Sequence, residues 1–234
     1  MKKSFLALAL LSGASGAAQA QSAIGAGTVS LGGSVGYSRQ TDISSGMSGS
    51  VKYSTETTRS QFSISPSIGY FLADNLALGI SLGYNSFRRP YSTSTPAPAL
   101  IRAELDPSTT LRVGPFVQYY KMISDQFGVL GTLDGGFQAT KNFAYTGSGS
   151  NALIAETKSS GVYGALTPGI VFFPIPKVGL SASIGSIGYQ RLRSDYPTNS
   201  GPTPSGYEDT SSDFGAYFGL SQLQFGGTFF LGRK

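Results

Sequence analysis

Eight strand-like runs in this chain end on aromatic residues. Four close on adjacent pairs, Tyr70-Phe71, Tyr119-Tyr120, Phe172-Phe173 and Phe229-Phe230, and four end on one aromatic after a small residue, Tyr37, Tyr84, Phe137 and Tyr189. A soluble core gives no reason to place aromatics at both ends of every strand, whereas a barrel that crosses a bilayer needs amphipathic rings at both headgroup levels. The pattern predicts an aromatic girdle made of all these residues.

Side-chain alternation defines the strands themselves. Over residues 62–70 apolar side chains alternate with serine and glycine, and the alternation resumes over residues 76–84. A period of two residues puts one apolar and one small polar face on each strand. The tripeptide Ala73-Asp74-Asn75 between these runs predicts a tight turn and hence a hairpin. Similar hairpins are predicted around residues 124–126 and 174–177, and a first strand from Val29 and a last one from Leu223 bring the count to eight.

The connections between the predicted strands differ in length on the two rims. Three are short turns, and four are long and rich in Ser, Thr, Gly and Pro, at residues 40–58, 88–109, 142–160 and 194–212. This asymmetry is typical of bacterial outer-membrane barrels, with periplasmic turns and extracellular loops. A soluble lipocalin-like barrel would hide its apolar face inside. The other face here is mostly Gly, Ser, Thr and Gln, which suits a narrow polar lumen. We therefore predict an all-β, eight-stranded, antiparallel up-and-down transmembrane barrel.

Two irregularities interrupt this pattern. Pro66, Pro115 and Pro168 occupy equivalent positions in alternate strands. Proline cannot donate to a strand ladder, so we expect bulges or weak pairing there. In the last strand the apolar phase slips between Phe218 and Phe225, which predicts a β-bulge at residues 220–222.

The N-terminus has the features of an export signal. Two lysines precede an apolar run at residues 5–11, and small residues lead to Ala18-Gln19-Ala20. We predict a signal peptide at residues 1–20 and a barrel domain at residues 21–234. A membrane anchor is the alternative, but a spanning helix needs about 20 apolar residues.

Composition narrows the class of protein. Charged residues make up 12% of the chain, about half the usual share, and 32 residues are glycine. The net charge of +5, which falls further when the leader is removed, is too mild to indicate nucleic-acid binding. The lack of cysteine excludes a disulfide framework and a lipid-modified cysteine.

The hairpin segment Ser65-Pro66-Ser67-Ile68-Gly69-Tyr70-Phe71-Leu72-Ala73-Asp74-Asn75-Leu76-Ala77-Leu78-Gly79 resembles the small outer-membrane β-barrel family of OmpA/OmpX type. The resemblance implies the fold and a location in the outer membrane of a Gram-negative bacterium, and it implies an encounter with the outer-membrane assembly machinery. Members of such families usually end on an aromatic residue that this machinery recognises. Here Leu231-Gly232-Arg233-Lys234 follow the last aromatic pair.

The absence of histidine restricts the possible chemistry. Outer-membrane deacylases, palmitoyltransferases and omptin proteases of similar size use a histidine as general base, and this chain has none. Without His or Cys no zinc site is expected either. We predict no enzymatic activity, no cofactor and no metal, with an enzyme working through loop carboxylates as a weaker alternative.

Two sets of polar residues are candidates for function. The first shares the lumen face of the predicted strands: Arg112, Gln118, Asp134, Gln138, Gln222 and Gln224. These residues would form either a polar pathway or an interior hydrogen-bond network, and the narrow barrel favours the network. The second lies where strands meet the long loops: Arg39, Arg59, Arg88, Arg89, Arg191 and Arg193. These arginines would either contact lipopolysaccharide phosphates or form an ordinary solvated rim.

The sequence thus predicts a non-enzymatic outer-membrane barrel with a structural, adhesive or partner-binding role in its extracellular loops. The alternative is a narrow porin-like channel for small solutes. Expected partners are outer-membrane lipid and lipopolysaccharide, with a surface partner that the sequence does not identify, and we expect a monomer.

Overall fold

The computed structural model describes residues 23–49, 51–95, 105–146 and 153–233, so the predicted leader lies outside the described residues. These ranges contain ten β-strands and one 3-10 turn. The strands are β1 (Val29–Ser48), β2 (Val51–Ala73), β3 (Leu76–Thr95), β4 (Ser108–Met122), β5 (Phe127–Thr146), β6 (Leu153–Ile175), β7 (Val178–Ser183), β8 (Gly185–Ser194), β9 (Asp209–Phe218) and β10 (Gln224–Leu231).

The ten strands close into a barrel whose wall is eight strands around. β7 and β8 follow one another across Ile184 and act as one wall strand, and β9 and β10 do the same across residues 219–223. All neighbours are antiparallel; β5 pairs with β6, and β1 pairs with β10 to close the ring. The predicted all-β up-and-down barrel is confirmed. Within the described ranges, no helix is long and apolar enough to cross a membrane.

The two rims differ as expected in their connections. Short turns join β2 to β3, β4 to β5 and β6 to β7, which confirms the three predicted hairpins. On the other rim, the strands run further than the sequence indicates. β1 continues to Ser48 and β2 begins at Val51, so residues 40–58 are mostly strand and not loop. Residues 142–160 are corrected in the same way by β5 and β6.

The wall has an apolar outer face and a polar inner face. Ile68 and Ile80 are 53% and 60% exposed on the outside, and many other leucines, valines and isoleucines share that surface. Ser67 and Ser81, one position along each strand, line an internal cavity. Adjacent residues in a strand point to opposite faces. In this part of the wall the chain therefore places its apolar side chains outside the barrel.

The three prolines interrupt every seam that a short turn makes. By seam we mean the boundary between two neighbouring wall strands. Pairing between β2 and β3 stops on either side of Pro66, and pairing between β4 and β5 stops on either side of Pro115. At Pro168, β6 changes partner from β8 to β7. The expected weak pairing is confirmed, because proline has no N–H to donate to the neighbouring strand.

The phase slip in the last wall strand has a different structural cause from the one predicted. In place of a β-bulge, the strand breaks, and Leu220–Gln222 form a 3-10 turn between β9 and β10. The alternation restarts after this turn, so Phe218 and Phe225 both point outward. Gly185 allows β9 to lie close to β8, since a Cβ atom there would overlap the carbonyl oxygen of Tyr217.

The seam between the first and last wall strands is paired only in the half nearer the short turns, which we call the lower half. β1 pairs with β10 from Val29 to Val35, and above that point the described residues show no pairing between β1 and β9. Nine of the ten β9 residues are exposed, on both faces of the strand. We call this upper part the open seam.

Candidate functional site

An aromatic cluster closes the base of the barrel. Phe71, Tyr120, Phe173 and Phe230 come from four different wall strands, and each is at most 2% exposed. The ring centroids of neighbouring members lie 5.5–6.2 Å apart, in tilted and edge-on arrangements that favour aromatic attraction. The cluster fills the lumen where the strands converge on the short turns.

These four residues correct the predicted girdle. Adjacent residues in a strand cannot both face outward. One member of each aromatic pair therefore points inward and joins the base cluster. The other eight predicted girdle residues lie on the outer side of the wall: Tyr37, Tyr70, Tyr84, Tyr119, Phe137, Phe172, Tyr189 and Phe229.

The segment before β1 completes the seal from below. Ile24 is fully buried in the base cluster. Its N–H donates to Asn75 Oδ1 at 2.9 Å, and Asn75 N–H donates to the Ile24 carbonyl oxygen at 2.9 Å. Arg233 lies on the same side, with its guanidinium carbon 4.1 Å from the Phe173 ring centroid. No sequence pattern indicated a role for the segment before β1, since it precedes the first alternating run.

Above the base cluster the barrel encloses a polar cavity of about 270 Å³. Hydroxyl groups from serines and threonines on most of the wall strands form much of its lining. This volume is well above the roughly 10–15 Å³ that one water molecule requires. The cavity can therefore hold water or one small polar solute.

A chain of amide and guanidinium groups crosses the upper wall of this cavity. Arg112 Nε donates to Gln138 Oε1 at 2.7 Å, and Gln138 Nε2 donates to Gln190 Oε1 at 3.2 Å. Gly161 on β6 pairs with Gln138 and has no side chain to separate these glutamines. Gln138 is 3% exposed, and its side chain has partners on β4, on β8 and, at 3.3 Å from Nε2 to Thr140 Oγ1, on its own strand β5.

A second polar group lies lower on the same wall. Tyr163, Asp134 and Ser81 line the same cavity, and the Tyr163 side chain interacts with the other two polar groups. The guanidinium carbon of Arg112 lies 4.8 Å from the Tyr163 ring centroid. Tyr163 thus stands between one positive and one negative side chain. Our sequence reasoning missed it, although its inward position follows from the outward position of Val162.

Five of the six predicted lumen residues lie on the inner wall. Gln118 Nε2 donates to Thr132 Oγ1 at 3.2 Å and its Oε1 accepts from the Tyr120 hydroxyl at 3.2 Å, which links the cavity to the base cluster. Gln224 lines the cavity near the start of β10. Gln222 is the exception and the prediction for it is wrong, because it is exposed in the 3-10 turn that breaks the strand.

The predicted rim arginines divide between two faces. Arg39 and Arg88 share the outer face, because each pairs with Ser60 on β2. Arg191 and Arg193 lie outward on β8, and Arg193 Nη2 is 3.8 Å from Glu208 Oε1. Arg59 pairs with Gln40, and the alternation along β2 places it on the inner face. The side chain of Arg89 is not among those that the structure describes.

Comparison with known proteins gives a loose match of folds. No protein-family model matches this chain, and no curated protein matches it. Among solved structures, the chain is similar to the crystal structure of the outer membrane protein OprG from Pseudomonas aeruginosa, with a TM-score of 0.39 and 14% sequence identity. The match covers 88% of this chain and 97% of that chain. The barrel assignment therefore depends on the strand pairing described above.

Proposed function

We propose that this protein is a non-enzymatic integral outer-membrane barrel that acts through the surface its strands carry above the bilayer. The apolar outer wall carries the proposal. Water does not stabilise so continuous an apolar surface, whereas lipid does. The lack of His and Cys in the chain supports a non-enzymatic role.

The dimensions of the apolar wall fit a bilayer. Phe62 and Tyr70 both point outward on β2. They are about 26 Å apart along the strand, which a tilt of about 40° reduces to about 20 Å of height. Outer-membrane barrels have an apolar band about 25 Å tall.

The long strands support a role in surface binding. From Tyr37 to Ser48, β1 extends about 35 Å beyond the upper aromatic level, paired throughout with β2. β5 and β6 extend in the same direction as a second paired wall. These two extensions would present adhesive or partner-binding surfaces outside the cell.

The polar cavity favours a second function, passage of small solutes. Arg112 and Asp134 line it, as expected for a pathway. The base cluster opposes this function, because a solute could leave the cavity downward only if several buried aromatic rings moved. We therefore place surface binding first.

Planar-bilayer conductance of the refolded barrel tests the order of these two functions. We expect no ion-conducting steps from the native protein, and steps from the Tyr120→Ala/Phe230→Ala variant, whose base is opened. Insertion is checked separately by heat-modifiable gel migration of the liposome-bound protein. Steady conductance from the native barrel would favour the channel, and failure of the native barrel to insert would overturn the membrane assignment.

A further inference from the structure

Two arginines and a serine form one row across three strands on the outer wall. Arg39 on β1 pairs with Ser60 on β2, and Ser60 pairs with Arg88 on β3. Directly opposed residues of antiparallel strands point to the same face, with Cβ atoms about 5 Å apart. The two arginine backbones are therefore about 10 Å apart, with the hydroxyl group between them. Their long side chains can reach one common anion.

The levels above and below this row are chemically distinct. One step below, Tyr37 pairs with Phe62, and both are exposed outward at 69% and 40%. One step above, Thr41 Oγ1 lies 3.2 Å from Thr58 Oγ1. From the membrane outward, the wall therefore changes from apolar to aromatic, then to basic, then to hydroxyl.

We propose that the Arg39–Ser60–Arg88 row binds a phosphate group of the phosphorylated glucosamine glycolipid in the outer leaflet. This inference rests on the proposed membrane location. The four levels of the wall match the acyl chains, the interfacial region, the phosphates and the sugars of such a lipid. Guanidinium groups pair bidentately with phosphate, which makes arginine better suited to this site than lysine.

The charge around Arg39 favours an anion from outside the protein. Arg39 makes no salt bridge within the described part of the chain. Asp42 is the nearest carboxylate along β1. The alternation of the strand places it on the inner face, where it accepts hydrogen bonds from Gln40. By contrast, Arg193 on β8 already lies beside Glu208. The β8 arginines therefore serve as a matched control pair.

The test measures binding of diphosphorylated lipid A to the full chain, refolded in phosphatidylcholine liposomes. Insertion is scored first, by heat-modifiable gel migration without lipid A. We expect Arg39→Gln/Arg88→Gln to insert normally and to bind lipid A about 10- to 100-fold more weakly. Arg191→Gln/Arg193→Gln should change the affinity by less than about threefold. Arg39→Lys/Arg88→Lys should give an intermediate loss, because charge remains but bidentate pairing does not.

Each outcome bears on either the row or the membrane assignment. Equal binding of dephosphorylated lipid A, or an equal loss in both double variants, would overturn the phosphate site while insertion still supports the barrel. Competition by millimolar inorganic phosphate as strong as that by the lipid would show a site for free phosphate and overturn the lipid assignment. A native chain that fails to insert would overturn the membrane location itself.

Discussion

Phe230 is the side chain on which the seal of the barrel base depends most. It is fully buried, and its ring centroid lies 5.5 Å from that of Phe173, 6.0 Å from that of Phe71 and 6.2 Å from that of Tyr120. Truncating a buried phenylalanine to alanine costs about 3–5 kcal/mol, and each aromatic pair adds about 0.5–1.5 kcal/mol beyond area burial. The measured cost of truncation already includes such pair contacts, so the loss of three of them places Phe230→Ala in the upper part of that range, with the free energy of unfolding lowered by about 4–5 kcal/mol.

Phe229→Ala is the matched control for this variant. Phe229 has the same side chain at the adjacent position, but it points outward and is 44% exposed. Detergent covers this outward ring in the micelle, so its loss should cost about the 1.5–3 kcal/mol of moving a phenylalanine side chain out of water, with no cavity left inside the barrel. Urea unfolding of the barrel in detergent micelles, followed by heat-modifiable gel migration, measures both changes. Equal costs, or a larger cost at Phe229, would refute the division of the aromatic pairs between base and outer wall.

Two further pairs of substitutions test the wall. Ile80→Arg, on the outer face near mid-wall, should lower the stability of the inserted barrel by about 2–4 kcal/mol. Ser67→Arg, on the cavity wall, should show steric effects only. If liposome insertion tolerates both variants equally, the assignment of the two faces is wrong. Gly114→Ala should lower the free energy of unfolding by about 1–3 kcal/mol, because the new Cβ would overlap the Gly135 carbonyl oxygen. At Gly131 no heavy atom lies within 4 Å of an added Cβ, so Gly131→Ala should change the free energy of unfolding by less than about 1 kcal/mol in urea titration. A greater loss at Gly131 than at Gly114 would show that close packing does not decide which glycines can be replaced.

Much of the barrel follows from local rules that operate over a few residues. A period of two residues fixed the faces at Ile68 and Ser67, and turn chemistry located the Asp74-Asn75 hairpin. The two-residue period also explains why one member of each aromatic pair leaves the girdle, since Phe71 must face opposite to Tyr70. What local pattern could not supply is contact across the lumen, where Phe71 meets Phe230 from a distant strand.

The errors have equally specific causes. Gln222 was misplaced because a strand break resets the alternation, and no local signal distinguishes a break from a bulge. Tyr163 was missed because its role depends on Asp134 and Ser81, which come from other strands. The extension of β1 to Ser48 was missed because Ser, Thr and Gly are typical of loops, although an exposed paired strand accommodates them too.

The interrupted seams leave three continuously paired units in the wall. Pairing is unbroken between β1 and β2, between β3 and β4, and between β5 and β6, while Pro66, Pro115, Pro168 and the open seam separate these units from one another and from the last hairpin. Pro66 and Pro115 each open only a short gap in a seam that is paired on both sides of it. The wall is therefore least tightly joined at these gaps, which lie beside the polar cavity.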